Sequence, residues 1–329
     1  LYKNKVVAVV IPAYNEEKLI GRVISTMPPY VDFIIVVDDA SKDKTCQVVE
    51  EFQESIPKKI ILIKHKINSG VGGSIADGYL WCRDNEIDVA AVMAGDAQMD
   101  PADLERLLDP VVEDKADYSK GNRLFTGDAW NQIPKIRYIG NSLLSLMTKI
   151  ASGYWSIADS QCGYTVINRK AMKIINWNHM YTRYGQPNDL LVRLNINNLR
   201  VVDVPVRPVY NIGEKSGIVP ILIIPKMLGL LFWLFNFRLV QKYLIRDFHP
   251  LLLFYAIGLP QLFIFSPILL VRLTYMWIIS GRIPPINALA LMFMIISGLQ
   301  FVMFAMWFDM QHNNNINYSL YNYPDEYSD

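Results

Sequence analysis

Two runs near the end of the chain constrain it more than any other feature. Leu251 to Val271, twenty-one residues, and Ile286 to Phe308, twenty-three, contain no Asp, Glu, Lys or Arg. At about 1.5 Å per helical residue, each covers a hydrocarbon layer about 30 Å thick. Both are expected to cross a bilayer as helices. Pro260 and Pro267 are expected to kink the first, a break that packed neighbours tolerate. The charge content divides at the same place: eleven of the 113 residues from Gly217 onward are charged, against fifty-two in the first 216. A folded polar domain therefore precedes a membrane region. Between them, Ile221 to Phe237 is apolar but is interrupted by Pro225-Lys226 and followed by Arg238, Lys242 and Arg246. That pattern reads as an interfacial amphipathic element, with a third span as the alternative. The basic residues from Lys226 to Arg246 put this side in the cytoplasm. The expected organisation is a cytoplasmic domain over 1–217, a juxtamembrane segment over 218–248, two transmembrane helices within 249–309 and a flexible cytoplasmic tail over 310–329.

The polar domain alternates strands and helices. Lys5 to Ile11, Phe33 to Val37, Ile60 to Ile63 and Val89 to Met93 are short β-branched or apolar runs, each followed by a polar loop and an amphipathic stretch. Such alternation implies a mostly parallel sheet covered on both faces, with ligands at the carboxyl ends of the strands. Charges in this part balance, twenty-six of each sign, which argues against a nucleic-acid surface. Cys46, Cys82 and Cys162 are odd in number and far apart, so a reduced compartment without disulfide or zinc is expected. Leu1 to Lys5 lead straight into the first strand, and no signal or transit segment is expected ahead of it.

The stretch Val89 to Pro101 carries the most chemistry. If its strand persists through the loop, Asp96 and Gln98 stand two residues apart and point the same way. A carboxylate and an amide carbonyl are hard oxygen donors suited to Mg²⁺ or Mn²⁺. On these residues alone, a loop-capping Asp96 and a solvated Gln98 fit equally well. Asp100 and Asp103, flanking Pro101, are assigned to capping the next helix. Asp38 to Asp43 fits helix capping too. His65 and His179 lack partners at ligand spacing and read as ordinary core or surface residues. In Gly70-Val71-Gly72-Gly73, Ile75 stands where a dinucleotide fingerprint needs its third glycine, so the loop reads as close backbone packing. Arg123, after Lys120-Gly121-Asn122, supplies a cation near the same sheet edge. Asp159, before Gly163, is a candidate for orienting a substrate or for capping a turn, and Asp189 is a second.

Five stretches, Ile11-Pro12-Ala13-Tyr14-Asn15-Glu16-Glu17, Val36-Val37-Asp38-Asp39-Ala40-Ser41, Asn68-Ser69-Gly70-Val71-Gly72, Gly95-Asp96-Ala97-Gln98 and Gly121-Asn122-Arg123, stand in the order of family 2 glycosyltransferases. Over residues 5 to 217 the chain resembles that family, with its GT-A fold, and within it the polyprenyl-phosphate glycosyltransferases. The resemblance implies that Pro12, Tyr14, Glu16, Gly70 and Gly95 line a nucleotide-sugar site, with Val37 and Asp39 (or Asp38) at the base. It implies that Asp96 and Gln98 bind Mg²⁺ or Mn²⁺ at the donor diphosphate, and that Arg123 and Lys215 meet phosphate. Asp96, Asp159 and Arg123 are the catalytic candidates.

Two departures stand out. Ala94 occupies the place of the first acid of the family's Asp-x-Asp, and Gly213-Glu214-Lys215-Ser216 exchanges the usual order of serine and lysine, with Arg207 a candidate for an absent arginine. The implied reaction is inverting transfer of a hexose from a UDP- or GDP-sugar to a dolichyl or undecaprenyl phosphate, by a homo-oligomer in a cell membrane or endomembrane. Transfer to another lipid such as diacylglycerol, or a non-catalytic nucleotide-binding scaffold, are the alternatives. A processive polysaccharide synthase is disfavoured, because no tryptophan follows an arginine.

Overall fold

The structure, a computed structural model, describes residues 1–56, 59–124, 135–207 and 220–318. It divides into two compact units, Leu1–Phe235 with the segment from Asn315, and Asn236–Asn314. The first unit is built on one sheet of β1 (Val7–Ala13), β2 (Phe33–Asp38), β3 (Ile60–Lys64), β4 (Val89–Val92), β5 (Tyr118–Asn122), β6 (Thr165–Asn168), β7 (Val201–Pro205) and β8 (Asn317–Tyr318). Their order across the sheet is β3-β2-β1-β4-β6-β5-β7-β8. Every pair is parallel except those of β6 with β4 and β5. This is the mostly parallel α/β sheet expected. The direction of β6 was not legible, because an apolar run looks the same read either way.

Strand alternation sends Val7, Val9 and Ile11 into one core and Ala8 and Val10 into the other. The first core is closed by α1 (Ile20–Ser25), α2 (Thr45–Ser55) and α4 (Leu104–Val112). The second is closed by α3 (Val71–Asp84), α6 (Arg169–Ile174) and α7 (Gln186–Ile196), while α5 (Lys135–Ser152) lies between β5 and β6 in the chain. Helix α1 starts at Ile20, later than the Asn15-Glu16-Glu17 start that its polar residues suggest, because those residues are used in the loop described below. Contact between α3 and β1 is close: a Cβ on Gly78 would stand 2.2 Å from Val10 Cγ1, so only glycine fits there.

The Asn315-onward segment belongs to this unit. Ile316 is buried in the same core as Leu199 and Val201, and Asn317 and Tyr318 pair with Val201 and Val202. The tail expected to be flexible from 310 is therefore folded through Tyr318. Two residues of strand carry no pattern that a sequence reading detects; their order comes from the ready-made edge of β7. Residues 319–329 lie outside the described ones.

Helix α8 (Pro220–Val240) runs on through a π-helical turn, Gln241–Arg246. The second unit adds α9 (Leu251–Pro260), a π-helical turn Gln261–Phe265, α10 (Ser266–Ser280) and α11 (Pro285–His312). Three helices, Ile224–Arg246, Leu251–Ser280 and Pro285–His312, are long and apolar enough to cross a membrane. Between Pro260 and Pro267 the wider turn takes up the missing donor, and Ser266 Oγ donates to the Gln261 carbonyl at 2.6 Å.

Not all the charges here are surface ones. Arg238 donates from both Nη atoms to Asp309, at 2.8 and 2.9 Å, and both side chains are fully buried. Tyr243 and Asn313 donate to Asp309 Oδ1 at 2.5 and 2.9 Å, and the buried Lys242 Nζ donates to Asn313 Oδ1 at 2.7 Å. The reading of Arg238 and Lys242 as interfacial cations is thereby corrected. A buried pair of this kind holds because each polar atom finds a partner.

Candidate active site

The loops after β1, β2 and β4 meet at the carboxyl edge of the sheet. Pro12 pairs with Val37 and Ala13 with Asp38 across β1 and β2. Beyond them the two loops are laced together. Asn15 N donates to Ser41 Oγ at 2.9 Å, Lys42 N to Asn15 Oδ1 at 2.8 Å and Glu16 N to Thr45 Oγ1 at 2.8 Å. Asn15, Ala40 and Ala97 each adopt positive φ, of 58°, 61° and 58°. Each of these three loops thus holds a non-glycine residue in the left-handed region, strain that ligand-binding edges commonly carry. Tyr14 stands exposed at the rim.

The two adjacent acids at the end of β2, Asp38 and Asp39, have separate tasks. Asp39 is buried and its carboxylate is occupied: Ser69 N, Ser69 Oγ and Gly70 N donate to it at 2.7, 3.0 and 2.8 Å, and His65 Nδ1 lies 2.8 Å away. Burial pushes its pKa up, but the bonds from His65, Ser69 and Gly70 outweigh this and hold it below the usual range. Asp39 therefore ties the Asn68–Gly70 loop to the site. Asp38 Oδ2 accepts from Ser41 N at 3.1 Å, and the Cys46 thiol is hydrogen-bonded to the same buried carboxylate. Of the two, Asp38 is the less heavily engaged.

Neither acid caps α2 directly; that contact comes from Asp43, which accepts from Thr45 N at 3.0 Å. His65, read as an ordinary histidine, instead lies between Asp39 and Asp77, its Nε2 2.9 Å from the Asp77 carboxylate. Gly70 has φ of 92° and a Cβ there would lie 2.6 Å from Thr182 O, in keeping with the close packing expected of this loop.

After β4 the strand does not persist. It ends at Val92, and Asp96 and Gln98 are oriented by a turn around Ala97, in which Gln98 N donates to Asp96 Oδ1 at 3.1 Å. Alternation along a strand is not what aims them. The turn sits against the β1 loop, where a Cβ on Gly95 would lie 3.3 Å from Pro12 O and 3.4 Å from Glu16 Cγ. Burial, then the charges of Asp96 and Asp43, push the Glu16 carboxyl up to about 7. A crowded set of hard oxygen donors of this kind suits a divalent cation that keeps positions open for phosphate. Among the described residues, no group of three His, Cys, Asp or Glu side chains is placed to hold a metal ion.

The helix that follows is capped as expected by Asp100, which accepts from Ala102 N at 2.9 Å with Pro101 in the first helical position. Asp103 is corrected: it makes no cap and instead accepts from Arg207 N at 2.8 Å, anchoring the chain as it leaves β7. Arg207 thus reaches the domain through its backbone.

At the end of β5, Arg123 is not a solitary cation. Its Nε, Nη2 and backbone N donate to Asp159 at 2.7, 3.2 and 3.2 Å, and Gln161 N adds a bond of 3.2 Å to the same buried carboxylate. Burial raises the Asp159 pKa, but the Arg123 charge and bonds, with Lys120 behind, hold it below the usual range. Two catalytic candidates proposed separately therefore form one unit. Lys120 does not reach the sheet edge: it is fully buried, donates to the Cys162 carbonyl, and burial lowers its pKa. Asp189 accepts from Tyr181 N at 2.7 Å and Arg193 Nε at 2.8 Å, and so ties the preceding segment to its own helix. Lys215, with the rest of 208–219, lies outside the described residues.

The sequence reading missed Asp203, opposite Lys120 in the β5–β7 register. Its only signal was an acid inside the strand Val201 to Val206. Asp203 Oδ2 accepts from Ala158 N at 2.6 Å and Asn122 Nδ2 at 3.2 Å, bracing the segments that carry Asp159 and Arg123. Burial pushes its pKa up to about 7. The folded state therefore binds a proton that the unfolded state releases above the ordinary Asp range, so stability falls as pH rises from about 4 to about 7. Asp203→Asn is expected to remove this loss. Its stability relative to the parent should grow by several kcal/mol, on the order of 4, between pH 4 and pH 8. Unfolding midpoints at both pH values check this, and an offset independent of pH would refute it.

Comparison with known proteins identifies the family. The glycosyl transferase family 2 profile matches residues 8–175. A UDP-N-acetylglucosamine–dolichyl-phosphate N-acetylglucosaminyltransferase of Methanococcus voltae is 31% identical over 63% of this chain and 87% of its own. A polyprenol monophosphomannose synthase of Mycolicibacterium smegmatis is 28% identical over 60% of this chain and 75% of its own. In fold, the chain is similar to glucosyl-3-phosphoglycerate synthase of Mycobacterium tuberculosis, solved with Mn²⁺ and UDP, at a TM-score of 0.50 and 18% identity over 71% of this chain and 80% of that one. The strands, the loops at their carboxyl ends and the profile match together place the chain in glycosyl transferase family 2.

Proposed function

We propose that this protein is a membrane-anchored, inverting hexosyltransferase that moves a sugar from a nucleotide diphosphate to a polyprenyl phosphate. The observation that carries the reading is the sheet edge where Glu16 of the β1 loop lies within charge range of Asp96 of the β4 turn, in a chain that also holds apolar helices of spanning length. The relatives whose names include a dolichyl or polyprenol phosphate acceptor support the lipid. Diacylglycerol finds no such support.

The Asp38 carboxylate, at the end of β2, would accept an N–H of the base, a group that both uracil and guanine offer. Asp39 holds the Asn68–Gly70 loop against the site. Asp96 and Gln98, with Glu16 beside them, would hold Mg²⁺ or Mn²⁺, whose charge would neutralise the leaving diphosphate when bound. Arg123, its Nε and Nη2 engaged by Asp159, would bring its fixed positive charge to phosphate oxygens. The acceptor monoester has a second pKa near 6, so at neutral pH it is mostly a dianion. Its oxygen attacks the anomeric carbon as the bond to the diphosphate breaks, and no general base is required. Holding the two partners in line then supplies most of the rate enhancement.

Purified protein in detergent, given UDP- and GDP-hexoses, a polyprenyl phosphate and Mn²⁺, is expected to form a lipid-linked sugar with inverted configuration. Tight nucleotide binding with no transfer to any lipid would overturn the enzymatic reading. Transfer to diacylglycerol alone would overturn the acceptor.

A further inference from the structure

We propose that the chain crosses the bilayer twice, and that the helix Ile224–Arg246 lies along the leaflet facing the catalytic domain, its exposed apolar side chains forming a lipid-binding surface. Three helices are long enough to cross, so composition alone leaves the number open.

The edge strand decides the parity. The chain leaves the sheet after β7 and rejoins it as β8, directly beside β7. Ile316 is buried in the core of that unit, Ser156 Oγ donates to Asn317 Oδ1 at 3.3 Å and Asn317 Nδ2 donates to Gly153 O at 3.4 Å. From His312, where α11 ends, to Asn317 is five residue steps. Even fully extended they reach about 17 Å, too short to recross about 30 Å of hydrocarbon. The end of α11 therefore lies on the side of the catalytic domain. A chain that departs from and returns to one side crosses an even number of times, so the three helices do not all cross.

The helix that does not cross is Ile224–Arg246. Its first half is packed within the catalytic unit: Met227, Leu231 and Leu234 are buried, Asn188 Nδ2 lies 3.3 Å from Met227 Sδ, and a Cβ on Gly185 would meet Leu230 Cδ2 at 2.2 Å. Its second half is tied, within the other unit, to the last turn of α11 through Arg238–Asp309 and Lys242–Asn313. Both halves thus sit at the same side of the membrane. A crossing helix would separate Met227 from Tyr243 by about 24 Å along the normal. Over their most apolar windows, 39% of this helix is buried in protein against 11% for each of the other two. Those two are joined by residues 281–284 and touch closely, a Cβ on Gly258 standing 3.0 Å from Gly298 O, so they cross as a pair.

The exposed apolar side chains of the surface helix include Ile224, Phe232, Trp233, Val240, Leu244 and Ile245, with Lys226 and Arg246 exposed near its ends. Apolar bulk with an aromatic pair and flanking basic residues suits the boundary of acyl chains and anionic headgroups. The occupant is one leaflet of the bilayer.

The full chain in sealed vesicles tests this, in a Cys46→Ser background that leaves the two buried cysteines. Single cysteines are introduced as Glu54→Cys in the catalytic domain, Asp247→Cys and Arg282→Cys. A membrane-impermeant maleimide should label positions 54 and 247 from one side and 282 only from the other. Positions 54 and 282 sharing a side, with 247 opposite, would overturn the proposal. A spin label at Phe232→Cys should then be reached by oxygen from the lipid phase, whereas a label shielded from both oxygen and a water-soluble nickel complex would place a second copy of the chain on this face and refute the lipid surface. Neither readout depends on catalysis, so a failed transfer assay and a failed topology assay are distinguishable.

Discussion

Asp96→Ala is expected to lower sugar transfer by about 10³-fold, the scale of losing a preorganised charge-stabilising group at a leaving oxygen. Asp100→Ala, four residues on, is expected to keep transfer within a few-fold. The contrast follows from local structure. Asp96 lies in the turn beside Glu16, and Asp100 has its carboxylate on the Ala102 amide at the start of a helix. Losing that cap should cost about 1 kcal/mol of stability and leave the site in place. Initial rates with saturating polyprenyl phosphate compare the two, with circular dichroism to confirm that both fold. If Asp96→Ala kept more than a tenth of the parent rate, or if Asp100→Ala fell with it, the assignment of the charge-neutralising site would be wrong.

The second large effect is expected at Asp159. Its removal in Asp159→Ala leaves Arg123 without the carboxylate that accepts three of its N–H donors. Breaking a buried ion pair of this kind costs about 3–5 kcal/mol, and misdirecting the guanidinium should lower kcat/KM by about 10²-fold. Because the Asp159 pKa is held low, the stability it contributes is present above the ordinary Asp range and is lost as pH falls through the lowered value. Asp159→Ala should therefore be most costly near neutrality and nearly silent in strong acid. Thermal unfolding across that range, beside kinetics for Asp159→Ala and Arg123→Lys, separates a positioning role from a merely structural one. Full activity in Arg123→Lys would show that the bidentate geometry is irrelevant, since lysine keeps the charge and loses the fork.

Much of this architecture is local and so could be read from residues in sequence. β1, β2 and β4 are unbroken buried runs, and the polar loops that close them carry the candidate site residues. Asp100 with Pro101 is likewise a local signal. What could not be read depends on partners far along the chain. The division of labour between Asp38 and Asp39 is set by His65, Ser69 and Gly70, 26 to 31 residues away. Arg123 and Asp159 are separated by 36 residues, and Arg238 and Asp309 by 71. In each case one side chain resembles an ordinary charge until the fold supplies its mate. The turn at Asp96 illustrates the opposite error: two donors expected to face one way by strand alternation are oriented by a left-handed alanine.

The position of β8 has a consequence for biosynthesis. The strand that completes the catalytic sheet leaves the ribosome after both long apolar helices. Until then β7 presents an open edge, and Ile316 is missing from the core beneath it. In the two-crossing topology proposed above, the sheet is closed only by a chain whose anchor has already threaded and come back, so completion of the catalytic domain would report correct insertion. A nascent chain stranded with the wrong number of crossings would carry its closing strand to the far side, leaving an exposed edge that quality-control proteases and chaperones can recognise.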